Sequence, residues 1–99
     1  MKKMISAVEF KNRLDAKEPI TILDIRTPQE FEDFNLGGIF IPLEEVFTRL
    51  NELEHLQNEE IIVVCYTGLQ SFAAQAILSK KGFTNIKNLE GGLEAYLSL

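Results

Sequence analysis

The sequence is poor in the side chains that cross-link small proteins or bind metal ions in them. It has one cysteine, Cys65, and one histidine, His55, among its 99 residues. An internal disulfide needs two cysteines, and a zinc site of the usual kind needs four cysteine or histidine ligands. Both are therefore excluded, and Cys65 is either an inert packing residue or a reactive thiol.

Long apolar runs and an excess of basic residues are also missing. No stretch approaches the roughly 20 apolar residues of a membrane span, and the N-terminal segment MKKMISAVEF has no long apolar stretch or cleavage site of a secretory signal. Ten basic and 15 acidic residues give a net charge of −5, whereas a general nucleic-acid binder needs a basic face. We therefore expect a cytoplasmic protein with no membrane and no nucleic acid among its partners.

The pattern that remains is that of one small α/β domain spanning residues 1–99. A chain with 45% hydrophobic and 25% charged residues is globular, and this length leaves room for one core. Because β-branched runs alternate with amphipathic stretches, we expect a small doubly wound, mostly parallel sheet of about five strands with helices on both faces. The predicted strands are 4–5, 21–25, 39–41, 61–64 and 86–89.

Helix signals fall between these strands. Ser6 is placed to begin the first helix, and Thr27, Pro28 and Glu30 form a capping box at the start of the second. A further helix is predicted over 71–81, ended by Gly82, and a short one follows the glycine pair at 91–92. Apolar spacing predicts these buried helix faces: Val8 with Leu14; Leu43, Val46, Phe47, Leu50 and Leu53; and Phe72, Ala73, Ala76 and Ile77.

Cys65 lies where such a fold binds its ligands. The apolar run 61–64 predicts a strand buried on both faces, and it is followed by Cys65, a loop containing Gly68, and a helix. Ligands of open α/β sheets bind beyond the carboxyl ends of the strands, and a helix N-terminus there offers unpaired N–H groups. Such groups favour a thiolate and can hold an anion. The residues alone thus favour a nucleophilic thiol over an inert one.

Four segments occur in order along the chain: LDIRTPQEF at 23–31, GGIFIPL at 37–43, CYTGLQS at 65–71 and LEGG at 89–92. Together they resemble the motifs of the rhodanese-like domain family, the single-domain sulfurtransferases. The third segment is similar to that family's active-site loop, usually Cys-Arg-Ser-Gly-x-Arg-Ser. The resemblance runs from about residue 5 to residue 97.

This resemblance implies a sulfurtransferase that needs no metal or organic cofactor. In the family, the cysteine takes the outer sulfur of thiosulfate or another persulfide donor and passes it to a thiol or cyanide. The implied partners are a small sulfur-containing anion or a protein persulfide as donor, and a thiol as acceptor. Carried over to this sequence, Cys65 is the catalytic nucleophile, and the substrate is held by the backbone N–H groups of Tyr66, Thr67, Gly68, Leu69, Gln70 and Ser71.

The chain also departs from the family pattern. Tyr66 and Gln70 stand where the loop usually has arginines, so the charge that would bind a dianion through two hydrogen bonds is missing. Asn35 and Leu36 replace a usual histidine, and Tyr96 replaces a frequent tryptophan. We interpret these last changes as packing or loop variation.

Other polar residues have two interpretations each. Asp24 and Arg26 end the second predicted strand on the ligand side, and they either line the Cys65 pocket or form a buried ion pair. Glu30 is expected to serve as the capping partner of Thr27, and His55 is expected to be solvated.

Two further function classes stay open beside sulfur transfer. A phosphatase of related fold would need a Cys-x5-Arg loop, and no arginine follows Cys65 in this chain. A non-catalytic binding or regulatory module is favoured by the missing loop arginines and opposed by the intact cysteine.

Overall fold

The protein is a five-stranded parallel sheet with helices on both faces, seen in a computed structural model that describes residues 3–99. The strand order is β1-β5-β4-β2-β3, and every neighbouring pair is parallel. The strands are β1 (Met4–Ile5), β2 (Ile22–Asp24), β3 (Ile39–Phe40), β4 (Glu60–Val64) and β5 (Asn85–Leu89). The helices are α1 (Ala7–Asp15), α2 (Pro28–Asp33), α3 (Leu43–Val46), α4 (Gln70–Lys80) and α5 (Gly92–Leu97). The predicted fold class is confirmed.

The central strand β4 separates two hydrophobic cores. Its side chains alternate between the two faces of the sheet. Ile61 and Val63 pack in the core that α3 and α4 cover, together with Cys65. Ile62 and Val64 pack on the opposite face, in the core that α1 and α5 cover. A strand buried on both faces was the prediction for 61–64, and all four residues are buried.

The capping signals are confirmed. The Ser6 hydroxyl accepts the N–H of Glu9 at 3.0 Å at the start of α1. At the start of α2, Thr27 and Glu30 form both hydrogen bonds of a capping box, with Pro28 as the first helical residue. Gly82, at φ +94°, follows the end of α4 as predicted.

The predicted buried face of the 71–81 helix is wrong. The buried residues of α4 are Ser71, Ala74, Gln75 and Leu78, and Phe72 is exposed. The face was misplaced because two polar side chains point inward. Gln75 Nε2 donates to the carbonyl oxygen of Ile86 at 2.9 Å, and Ser71 hydrogen-bonds Gly68 and Asn88. Hydrogen bonds that satisfy buried polar groups replace the apolar contacts that the spacing suggested.

Two other apolar predictions also need correction. In α1 it is Phe10 that is buried, whereas Val8 is 54% exposed. The single helix expected over 43–53 is broken, because α3 ends at Val46 and 3-10 turns follow, with non-helical dihedrals at Arg49. Arg49 donates to both Glu45 and Glu52 there. Phe47 is 60% exposed, and the Lys81 ammonium lies 5.2 Å from its ring centroid.

Candidate active site

Cys65 follows directly after the central strand, at the carboxyl edge of the sheet. Asp24 on β2 pairs with Val64 on β4 in the strand register, so the residues after these two strands lie side by side. A loop of five residues, 65–69, then leads into α4. This is the strand, loop and helix order that the sequence predicts around Cys65.

The sulfur of Cys65 is buried and lies within hydrogen-bond distance of two groups. Cys65 as a whole is 1% exposed. The N–H of Gly68 donates to Sγ at 3.1 Å, and the Ser71 hydroxyl lies 3.4 Å from Sγ. An N–H donor stabilises the thiolate more than the thiol. The loop therefore contributes one fixed hydrogen bond to the sulfur, and the Ser71 oxygen is a second partner that can accept from the thiol.

Asn88, on the neighbouring strand β5, holds the cysteine loop in position through its side-chain amide. Asn88 is fully buried on β5, and its Nδ2 donates to the carbonyl oxygen of Gly68 at 3.0 Å. Its Oδ1 accepts a hydrogen bond from the Ser71 hydroxyl. Both partners of the Cys65 sulfur are thus held by one amide. Sequence interpretation missed Asn88, although a polar residue in a buried strand was a signal of such a role.

The N-terminus of α5 holds the loop from the other side. The N–H groups of Leu93 and Glu94 donate to the carbonyl oxygens of Cys65 at 3.0 Å and Tyr66 at 2.8 Å. This approach needs Gly92, which has φ +62° and whose Cβ position would lie 2.6 Å from the Cys65 carbonyl oxygen. The glycine pair before the last helix therefore sets the position of the cysteine loop.

A cavity of about 360 Å³ opens beside Cys65. We call it the Cys65 cavity; its lining residues are Thr27, Glu30, Cys65, Tyr66, Thr67, Leu69 and Gln70. Four of the six residues predicted to hold substrate therefore line it, while Gly68 and Ser71 are buried behind the sulfur. Leu69 is 72% exposed at its rim. Their roles in binding stay predictions.

Asp24 and Arg26 form the buried ion pair that was one of their two interpretations. Arg26 donates from Nε to Asp24 Oδ1 at 3.0 Å and from Nη2 to Asp24 Oδ2 at 2.8 Å. It also donates to the carbonyl oxygens of Glu30 and Phe34, which ties α2 to the end of β2. Arg26 lines a neighbouring cavity of about 210 Å³, and neither residue lines the Cys65 cavity. A part for either one in chemistry stays a prediction.

Residues 3–99 contain neither a cluster of metal-binding side chains nor a membrane-spanning helix. No group of three or more His, Cys, Asp or Glu side chains is placed to hold a metal ion. No helix in this part of the chain is long and apolar enough to cross a membrane.

Comparison with known proteins identifies the family. The profile of the rhodanese-like domain matches residues 6–99. YrkF of Bacillus subtilis, named as a candidate sulfur carrier protein, is 38% identical over 90 residues; these cover 90% of this chain and 48% of YrkF. The thiosulfate sulfurtransferase PspE of Escherichia coli is 37% identical over 73 residues, covering 73% of this chain and 69% of PspE.

Solved structures agree with the sequence comparison. The crystal structure of a rhodanese-like domain protein from Staphylococcus aureus superposes with a TM-score of 0.84 at 31% identity, covering 97% of this chain and 91% of that one. The chain spans about half the length of YrkF. The chain belongs to the rhodanese-like domain family.

Proposed function

We propose that this chain is a sulfurtransferase in which Cys65 carries sulfane sulfur as a persulfide. The observation that carries the proposal is the placement of Cys65: its sulfur lies at the end of the central strand, accepts the Gly68 N–H at 3.1 Å and borders a cavity open to substrate. The printed name of PspE, a thiosulfate sulfurtransferase, supports the same activity class. Residues 1–99 are proposed to act as one domain.

The proposed cycle has two displacements at sulfur. The Cys65 thiolate attacks the outer sulfur of the donor, the donor S–S bond breaks, and the leaving group departs with its electron pair, as sulfite when thiosulfate is the donor. An acceptor thiolate or cyanide then attacks the outer sulfur of the Cys65 persulfide, and the Cys65 thiolate is released.

The described residues supply electrostatic stabilisation for both steps. The Gly68 N–H already donates to the sulfur. The first turn of α4 leaves backbone N–H groups that have no partner within the helix and that favour negative charge. They begin at Gln70, which lines the cavity. Fixed donors of this kind stabilise developing charge without having to reorganise.

A non-catalytic binding or regulatory module is the second candidate. The observation that favours it is the uncharged loop, in which Tyr66 and Gln70 replace the usual arginines. Such a module would use the Cys65 cavity for binding alone.

A thiosulfate–cyanide assay separates the two candidates. We expect the wild type to form thiocyanate and Cys65→Ser to form none, because the hydroxyl cannot carry the sulfur. Thermal denaturation of both proteins controls for folding. Equal rates of thiocyanate formation in the two proteins would contradict the proposed activity.

A further inference from the structure

The charge in the wall of the Cys65 cavity is negative. Of its seven lining residues, Glu30 is the one with a charged side chain. Thr27 donates two hydrogen bonds to Oε1 of the Glu30 carboxylate, from its backbone N–H at 3.1 Å and from its hydroxyl at 3.0 Å. The backbone N–H of Glu30 donates to the Thr27 hydroxyl oxygen. The second carboxylate oxygen, Oε2, has no hydrogen-bond donor among residues 3–99. A formal negative charge therefore sits in the wall of the Cys65 cavity.

No guanidinium or ammonium among residues 3–99 lines the Cys65 cavity. Arg26 is four residues before Glu30, yet its three side-chain nitrogens all donate to Asp24 and to the carbonyl oxygens of Glu30 and Phe34. Arg26 is also buried, and it lines the neighbouring cavity, whose wall Glu30 shares, and not the Cys65 cavity. Lys80 ends the eleven-residue helix α4, about 15 Å along the axis from Gln70.

We propose that Glu30 selects the sulfur donor by charge. The site then takes organic sulfane-sulfur donors that bear at most one negative charge, such as alkyl persulfides and thiosulfonates, in preference to the thiosulfate dianion. This proposal rests on sulfur transfer by Cys65. Each extra negative charge brought into the cavity is repelled by the Glu30 carboxylate in its wall, and water screens that repulsion only partly.

Two stable donors differ by one charge and deliver the same atom. Methanethiosulfonate, CH3SO2S⁻, reacts with the Cys65 thiolate to give the Cys65 persulfide anion and methanesulfinate. Thiosulfate gives the same persulfide anion and sulfite. In each case the S–S bond of the product forms as the sulfur–sulfur bond of the donor breaks, and the leaving group keeps the electron pair.

The test is a comparison of loading rates by intact-protein mass at low salt. Glu30→Gln removes the charge and keeps the capping box, because glutamine also serves at that position. The matched control is Glu32→Gln, which changes the net charge equally on the same helix, since Glu32 is exposed and lines neither the Cys65 cavity nor its neighbour. We expect Glu30→Gln to speed loading from thiosulfate about three- to tenfold more than loading from methanethiosulfonate. Glu32→Gln should leave that ratio unchanged.

The outcomes distinguish charge selection by Glu30 from sulfur transfer by Cys65, on which it rests. If Glu30→Gln speeds both donors equally, or if Glu32→Gln has the same effect, Glu30 does not select by charge, and sulfur transfer by Cys65 still stands. Loss of the Glu30→Gln effect at high salt is also expected, because ions screen the repulsion. A wild type that takes no sulfur from either donor would overturn both proposals.

Discussion

At the scale of single residues, the site depends on side chains that hold Cys65 and on others that line its cavity. Asn88 and Ser71 belong to the first kind, because they lie behind the sulfur and hydrogen-bond the loop and each other. Gln70 and Glu30 belong to the second kind, because they line the cavity. Cys65 is buried and lines this cavity, so we propose that a donor approaches the sulfur from there.

Gln70 is the position where a cation should improve thiosulfate binding. We expect Gln70→Arg to lower the KM for thiosulfate several-fold, because a charge-assisted hydrogen bond contributes roughly 1.5–3 kcal/mol before solvent screening. Stability should change little, since Gln70 is exposed. Asn12→Arg, on the exposed side of α1, is the control for added charge alone. A KM that is unchanged at low salt, or lowered equally by Asn12→Arg, would show that residue 70 does not meet the donor.

The residues of the cysteine loop could be found from the sequence because their motif is contiguous. Asn88 gave one signal, a polar side chain in a buried strand, but its partners could not be predicted, since Gly68 and Ser71 come from a segment about twenty residues earlier and meet it only after β4 and β5 pair. Glu30 was found as a capping residue from its spacing to Thr27. Its position in the wall of the Cys65 cavity depends on how α2 packs beside the cysteine loop, and no local sequence pattern encodes that packing.

At the scale of elements, the N-terminus of α5 acts as a clamp on the cysteine loop. Two N–H groups that the helix leaves unused donate to the carbonyl oxygens of Cys65 and Tyr66. These hydrogen bonds require α5 to lie directly against the loop. Gly92 allows this close approach because it has no side chain.

Gly92→Ala should therefore lower both stability and sulfur transfer. Its Cβ would collide with the backbone of Cys65 and Tyr66, and its φ of +62° is strained for alanine. Gly37→Ala is the matched control, because Gly37 has φ +82° but no atom within 4 Å of its Cβ position. We expect Gly37→Ala to cost about 1 kcal/mol with activity kept, and Gly92→Ala to cost more and to slow thiocyanate formation at least tenfold. Equal activity in the two variants would contradict the clamp.

Elements were predictable where strong local signals mark them. Capping at Thr27 and the apolar run of β4 determine where α2 begins and where the central strand lies. The buried face of α4 was not predictable, because Ser71 and Gln75 point inward to partners on β5 and its neighbours. The helix expected over 43–53 is broken at Arg49, but its apolar face is confirmed except at Phe47, because Leu43, Val46, Leu50 and Leu53 are buried or packed against the core.

At the scale of the whole molecule, one charge network joins three elements. Glu60 on β4 accepts from Arg13 on α1 at 2.6 Å and from Lys87 on β5 at 2.7 Å. Hydrogen bonding from Arg13, opposed by partial burial and aided by Lys87, lowers the pKa of Glu60 from its ordinary 4.5. A carboxyl whose pKa is lowered by folding stabilises the fold above its unfolded pKa and loses that contribution as pH falls through its folded pKa.

Glu60→Gln should thus destabilise the protein in a pH-dependent way. We expect it to lower the free energy of unfolding by about 1 kcal/mol at pH 7, with a difference from wild type that shrinks as pH falls below about 4.5. Glu59→Gln is the control, because Glu59 is the exposed neighbour. Urea denaturation at several pH values measures the difference in free energy of unfolding and its dependence on pH. A Glu60→Gln effect that is constant down to pH 3 would mean that the charge of Glu60 is not what stabilises the fold.

Intact-protein mass tests the central claim, that Cys65 carries sulfur, most directly. The whole chain is incubated with methanethiosulfonate or thiosulfate and desalted. Its intact mass is then measured before and after cyanide is added. We predict that the wild type gains one sulfur atom, loses it to cyanide as thiocyanate, and can be loaded again, while Cys65→Ser keeps its mass throughout. A wild type that gains no sulfur from either donor, or a Cys65→Ser protein that gains it equally, would contradict the account.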